Sequence, residues 1–395
     1  MTSIDLGRTG NRSGFAVKIS VVVLVVVALA AVFQIRVRRH MADFEVNYRA
    51  GQRLRAAETL YRIEDEHYMF KYLPASAILY APLSLVSLAS AKAIWFGLIL
   101  LCSALLVYLA YRLLPSGERK STLTWLLPVL ILFKYFFREW DLGQINTLVA
   151  VLLLGMIGLL AEERFAAETR RGVLAGWLWG LGVALKPYAL LFLPYFILKG
   201  RWRGLWAGLL TLGAALVVPI FYYGWGGNLA VHREWFTTLS ESTPGLLDSQ
   251  DNISLFALSL KWTGVHRLAL FLAGCAVAGL AGLVWWMIRR GRGQSENTYL
   301  EGGLLLLCIP LVSPLGWDYT LILGLPLLMV VIQHMRSYPL FWRIVLIADF
   351  LFIAFTIFDL MGRTLYSALL NRSIPTLNFL IILISALYLR SRQRC

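Results

Sequence analysis

Charge is scarce in this 395-residue chain. Only 15% of its residues are Asp, Glu, Lys or Arg and 59% are hydrophobic, whereas soluble domains carry about 25% charged residues. That shortage excludes a soluble enzyme and leaves an integral membrane protein. Acids are scarcer than bases, 22 against 37, for a net charge of +15. The basic excess comes as pairs and triplets between apolar runs and forms no basic tract. It is read as the loop charge that orients membrane helices, and no nucleic-acid partner is expected. Cysteine gives no disulfide framework: Cys102, Cys275 and Cys308 lie inside apolar runs and Cys395 is terminal, all as small packing residues. No internal repeat is visible, and no second acidic cluster joins Asp43 and Glu45 to complete an oxygen shell, so no metal is expected.

Long apolar runs are what the chain has instead. The first, 15 to 33, is long enough to span at about 20 residues per crossing and reads as an uncleaved anchor, although ALA at 28 to 30 would pass as a cleavage site. The run 75 to 88 is short and interrupted by Pro82, so it lies on the membrane face. Eleven more runs follow, at 91–113, 122–137, 145–161, 172–185, 187–198, 204–223, 266–288, 299–312, 317–334, 341–359 and 374–389. The expected fold is all-α, a single polytopic transmembrane helical bundle over 1–395 with about twelve crossings. Its external loops are 34–90, with interfacial or re-entrant helices, and 224–265.

Basic residues set the orientation. With both termini cytoplasmic, KGRWR and RRGRG fall inside, as the positive-inside rule asks. This holds only if 172–185 and 187–198 form a hairpin of two short helices meeting at Lys186-Pro187. Asp349, midway along the run 341–359, is expected to be paired within the bundle. The first external loop resists the rule, with eight basic residues from Arg36 to Lys71 against six acids. Either an interfacial helix near 44 to 57 rests its arginines on headgroups, or some of them, Arg49 included, bind a phosphate.

In this topology the unusual polar residues share the outer face. Asp43 opens the first external loop, where a carboxylate just beyond a helix end keeps its water beside the lipid surface, the place for a base acting on a lipid-linked substrate. Gln144 and Asn146 begin a helix, as phosphate ligands or as caps. Lys186 either snorkels or meets an anion, because an intramembrane ammonium costs on the order of 2.5–3.5 kcal/mol. Asn252 belongs to the second loop, and SPLGWDYT (313 to 320) supplies Trp317, Asp318 and Tyr319. Tyr48, Tyr72 and Trp317 are either stacking residues for sugar or prenyl groups or interfacial anchors. A transporter or lipid flippase is the alternative, but such proteins place polar groups near the midplane in repeated halves.

The order DFxxNYRAG, KYLP, GQIN, AGWLWGLGVALKP followed by KGRWRG, NISL and SPLGWDY resembles glycosyltransferase family 87, over roughly Asp43 to Leu328. The resemblance implies a GT-C membrane enzyme similar to polyprenol-phosphate-mannose-dependent mannosyltransferases. It would move a sugar, typically mannose, from a polyprenyl-phosphate carrier to a glycolipid or glycan acceptor, with inversion and with no cofactor. The family's catalytic aspartate falls on Asp43, with Glu45 completing a modified acidic motif. Lys186, Arg49, Gln144, Asn146 and Tyr319 would face the donor phosphate; Glu45, Tyr48, Tyr72, Asn252, Trp317 and Asp318 would line the substrate pocket. Two positions depart from the pattern: Tyr319 and Thr320 stand where similar sequences place histidine after Trp-Asp, and Ile253 where glutamine is common. The expected site is the extracytoplasmic side of the cell membrane.

Overall fold

The computed structural model describes residue 20 and residues 23–115, 121–161, 168–290 and 296–392. It is a helical bundle, and among these residues the one extended pairing is an isolated bridge between Asn252 and Trp317. Helix is what an apolar chain must form in lipid, where each backbone N–H and C=O needs a partner within its own segment.

The apolar runs do not all become full-length spans. Among the described residues Leu88–Arg112, His266–Met287 and Ile374–Arg392 are long and apolar enough to cross; counting two bent pairs as single spans raises the number there from 3 to 5. Thr122–Ile131, Asn146–Ala161, Pro187–Leu198, Thr298–Val312 and Asp318–Gln333 are shorter. The run 204–223 breaks because its helix stops at Val217 and the chain turns 89° into Ile220–Ser242, with Pro219 at the corner supplying no N–H. The run 341–359 breaks where Ile357 is extended, and the chain turns 104°. Most of the run 15–33 before residue 23 lies outside the described residues. The short run 75–88 is a series of short helical turns, Pro74–Ser76, Ala77–Tyr80 and Leu83–Leu85.

Glycines hold Glu168–Leu185 against Trp202–Val217. A Cβ on Gly176 would lie 2.1 Å from the Gly204 carbonyl oxygen, and one on Gly180 would lie 2.6 Å from that of Gly208. Small residues at four-residue spacing let two backbones touch, which is how apolar helices associate without a hydrophobic driving force. Because 176 meets 204 and 180 meets 208, the two helices run parallel. The Pro187–Leu198 limb between them therefore runs back, and the chain reverses at Lys186. Six residues of this limb are 3₁₀ and six are α, roughly 21 Å of rise against a hydrocarbon layer of about 30 Å.

The intervals flanking the bundle pack on each other. Ala42–Arg55 buries Phe44, Ala50, Gly51 and Leu54. Val231 of the Ile220–Ser242 helix joins Leu54, Leu60 and Phe70 in one apolar cluster. The seam is tied by Thr59 Oγ1 donating to Glu234 (2.6 Å), Tyr223 to the Glu58 carbonyl (2.8 Å) and Trp235 to the Lys71 carbonyl (3.2 Å). The loop arginines are spoken for in part. Arg53 pairs with Asp65, whose carboxyl the guanidinium hydrogen bond holds below the usual range, and Arg62 pairs with Glu58. Arg53 and Arg62 fasten the loop to itself. Asp349 differs from expectation too: it is buried, and its Oδ2 has no hydrogen-bond partner.

Candidate active site

A single left-handed residue sets the position of Asp43. The helical stretch 23–40 ends at Met41, whose φ of 21° and ψ of 43° redirect the chain into Ala42–Arg55. Met41 donates its N–H to the Asp141 carbonyl (2.8 Å), so the turn is pinned to the end of the Phe133–Leu142 helix. Asp43 then occupies the first turn of its helix, where the macrodipole favours a carboxylate. Gly143, with φ of 71°, closes Phe133–Leu142; a Cβ there would meet the Phe44 Cβ at 2.6 Å. That close approach brings the next residue, Gln144, alongside Asp43.

Gln144 is the junction of the site. Its Nε2 donates to Asp43 Oδ2 (2.5 Å) and to the Tyr319 hydroxyl (3.1 Å). Its Oε1 accepts from Lys186 Nζ (3.2 Å) and from Asn146 Nδ2 (3.3 Å). One buried amide thus couples the acid, the phenol and the ammonium, with all four of its hydrogen-bonding positions in use. Tyr188 donates to Asn146 Oδ1 (2.9 Å) and extends the chain of contacts.

Lys186 adopts an extended conformation, φ −142° and ψ 107°, as the residue before a proline prefers. This ends its helix and turns the side chain toward Tyr72: Nζ donates to the Tyr72 hydroxyl (2.9 Å) and lies 4.5 Å from the ring centroid. Lys71 lies beside it, its pKa lowered by burial and drawn back up by the charge of Asp43.

These groups open onto a cavity of about 540 Å³. Its polar wall is Lys71, Tyr72, Lys186 and Tyr319; Leu190, Leu239, Ile309 and Val312 are among its apolar lining. Trp317 stacks on Tyr319 with ring planes 13° apart and centroids 6.5 Å apart. A mostly apolar chamber with cations at one wall suits a molecule with a lipid part and an anionic part.

Other candidates stand elsewhere. Asn252 is fully buried: its Nδ2 donates to the Leu247 and Pro314 carbonyls, and its Oδ1 accepts from Ser254 N and Gly316 N. It clamps the 313–320 turn and is not among the residues lining the 540 Å³ cavity. Asp318 turns away from the chamber to Arg138 (2.6 Å), which also holds Asp251 (2.5 Å). Its adjacency to Trp317 in sequence places it on the other side of the turn. Tyr48 donates to the Val86 carbonyl (2.9 Å) and packs in a cluster with Phe44 and Trp95. Glu45 is paired with Lys92 (2.6 Å) and, more loosely, with Arg49 (3.8 Å). Both Glu45 and Arg49 face a separate groove, because helical spacing puts them on a different stripe from Asp43.

The structure adds residues that sequence reading missed. Glu139 has no exposure; its Oε2 accepts from Asn146 Nδ2 (2.9 Å) and its Oε1 from Thr147 N (2.9 Å). Burial pushes its carboxyl up to about 7, opposed by those bonds and by the charge of Lys186. Arg138, the preceding residue, ties the second loop to the 313–320 turn. A polar pair, RE, inside FKYFFREW at the end of an apolar run was the available signal.

Apolar helices around an open-sided chamber, with Lys186 and Tyr319 at its wall and both joined through Gln144 to Asp43, define a polytopic membrane protein with a built polar site. Residues 70–314 match the model of glycosyltransferase family 87. This is more than half of the chain, which belongs to that family. The match is narrower than the Asp43 to Leu328 extent of the motif resemblance, so Asp43 and Trp317 to Tyr319 lie outside it. Two similar proteins are polyprenol-phosphate-mannose-dependent alpha-(1-2)-phosphatidylinositol mannoside mannosyltransferases. One, from Mycolicibacterium smegmatis, is 27% identical over 281 residues; the other, from Mycobacterium tuberculosis, is 27% identical over 285. Each match covers 66% of this chain, which spans 61% of the relative's length. A solved structure, ArnT from Cupriavidus metallidurans bound to undecaprenyl phosphate, is 13% identical with a TM-score of 0.37, covering 94% of this chain and 78% of that one.

Proposed function

We propose that this protein transfers a sugar, mannose by analogy with its relatives, from a polyprenyl-phosphate carrier to an acceptor hydroxyl on the extracytoplasmic face of the cell membrane. The observation that carries the reading is the hydrogen-bonded chain from Asp43 through Gln144 to Lys186 and Tyr319 at the cavity wall.

Chemistry follows from the charges. Asp43 takes the proton of the acceptor hydroxyl as its oxygen attacks the anomeric carbon, and the bond from that carbon to the phosphate oxygen breaks. The electron pair leaves with the polyprenyl phosphate, and a single displacement inverts the anomeric centre. Lys186 and Lys71 stabilise the departing phosphate by charge, while Tyr319 donates to it in the place histidine takes in similar sequences. The prenyl chain fills the apolar side of the cavity. Gln144 keeps the base and the phosphate site in fixed register, and positioning of this kind supplies much of the effect of a catalytic site.

Mass spectrometry of lipid-linked glycans from cells with and without the gene tests this. The expected result is loss of one product, accumulation of its form shorter by one sugar, and restoration by the wild-type gene. Identical glycan profiles in the two strains would overturn the reading.

A further inference from the structure

Ile220–Ser242 leaves one face uncovered. Gly224 (φ 67°, ψ 179°) breaks the helix near its start, so the regular stretch is 225–242. Its buried side holds Val231 and Thr238 and packs on the first loop, where Trp235 donates to the Lys71 carbonyl. The exposed side is divided. Trp225, Leu229 and Phe236, 78%, 55% and 70% exposed, fall within roughly 40° of one another around the axis at 3.6 residues per turn. Gly226, Ala230, Thr237 and Glu241, also exposed, form a second edge centred roughly 110° further round. Arg233, exposed as well, lies between the two edges.

An apolar edge, a polar edge and an arginine at their boundary describe a helix that lies in the plane of a membrane surface. Its attitude agrees, because it turns 89° from Trp202–Val217, and a helix at a right angle to a span lies parallel to the bilayer. The apolar edge also continues a surface that lipid covers. Trp202, Trp206, Leu210 and Val217, at i, i+4, i+8 and i+15, form the exposed stripe of that span, and Phe221, 86% exposed, carries it round the corner. In water these large side chains would forgo the burial that drives association. Aromatic rings and an arginine at headgroup level are what an interface favours.

We propose that 225–242 is an in-plane helix docked on the phospholipid surface, with Trp225, Leu229 and Phe236 in the acyl boundary, Arg233 at headgroup level, and Thr237 and Glu241 in water. The docking is independent of the reaction assigned to the cavity. It bears on the cavity all the same: Leu239 of this helix and Thr243 just beyond it stand in the wall of the 540 Å³ chamber. Lipid therefore grips the helix along one edge while its far end walls the chamber, and membrane contact fixes where that wall stands.

Two measurements on the full-length protein in phospholipid nanodiscs test this. In the first, the four cysteines are replaced by alanine and a nitroxide label is attached to each of Trp225→Cys, Leu229→Cys, Phe236→Cys, Thr237→Cys and Glu241→Cys in turn. Depth is read from the ratio of collisions with oxygen and with a water-soluble nickel chelate. Labels at 225, 229 and 236 should lie about 5–10 Å into the bilayer, with those at 237 and 241 open to nickel. Equal nickel access at all five positions overturns the proposal. So does spin–spin broadening at 225 that disappears when excess unlabelled protein is added before reconstitution, since a second copy of the chain would then be the partner. The second measurement keeps the native cysteines and compares tryptophan emission of the wild type and Trp225→Phe in phospholipid with and without bromine on the acyl chains near the headgroup. The emission lost on substitution should be largely quenched by the brominated lipid. A lost component that brominated lipid leaves untouched puts Trp225 in water and overturns the proposal.

Discussion

Glu139 sits one hydrogen bond from Asn146, which reaches Gln144 and so Lys186. Its folded pKa is about 7, against about 4.3 for a glutamate in an unfolded chain. The native state thus binds this proton more tightly. Its contribution to stability is fully present below the unfolded value and is lost as pH rises through the folded one. Glu139→Gln removes that titration. In thermal unfolding in detergent, the Tm of the variant relative to the wild type should rise between about pH 4 and pH 7 and level off above that; a difference constant with pH would show that the carboxyl does not titrate there. Single residues also mark where sequence reading reached its limit. Asp43, Gln144, Lys186 and Tyr319 were legible because each is a polar group at the end of an apolar run, where position alone makes it unusual. Asn252 and Asp318 look the same by that criterion, but their roles depend on partners they meet only after folding: Pro314 lies 62 residues from Asn252, and Arg138 lies 180 from Asp318.

Among the elements, the paired helices Glu168–Leu185 and Trp202–Val217 decide where Lys186 ends up. Their contact leaves no room for a side chain at Gly176 or Gly180, whereas Gly213, on the same helix as Gly204, has nothing within 4 Å of an added Cβ. Gly176→Val should therefore prevent recovery of folded protein or sharply lower its Tm. Gly213→Ala should be neutral or stabilising by about 0.4–1 kcal/mol through its effect on the unfolded chain. Equal effects from the two substitutions would rule out tight packing as the cause. The spacing of these glycines was visible in AGWLWGLG and RGLWAGLL, and the reversal at Lys186-Pro187 followed from loop charge. Helix lengths were less legible. Hydropathy registers apolar content but not the corner at Pro219 or the extended Ile357, so runs that read as single spans turn out bent.

At the scale of the molecule, two intervals distant in sequence, 42–90 and 224–265, pack on each other and both contribute to the cavity wall, Lys71 and Tyr72 from the first and Leu239 and Thr243 from the second. In the proposed scheme Lys186 and Lys71 of that wall stabilise the departing phosphate by charge and no metal ion takes part. Transfer should accordingly persist in EDTA within about twofold, without the metal-supplied charge stabilisation that a Lewis acid would give. A loss restored by magnesium or manganese would contradict the scheme. The most direct measurement is transfer of radiolabelled sugar from polyprenyl phosphate to endogenous lipid acceptors in membranes carrying the wild type or Asp43→Asn at matched expression. A general base contributes about 10²–10⁴-fold, so the variant should lose at least two orders of magnitude in rate while still binding the donor. An Asp43→Asn protein transferring at the wild-type rate would contradict the account.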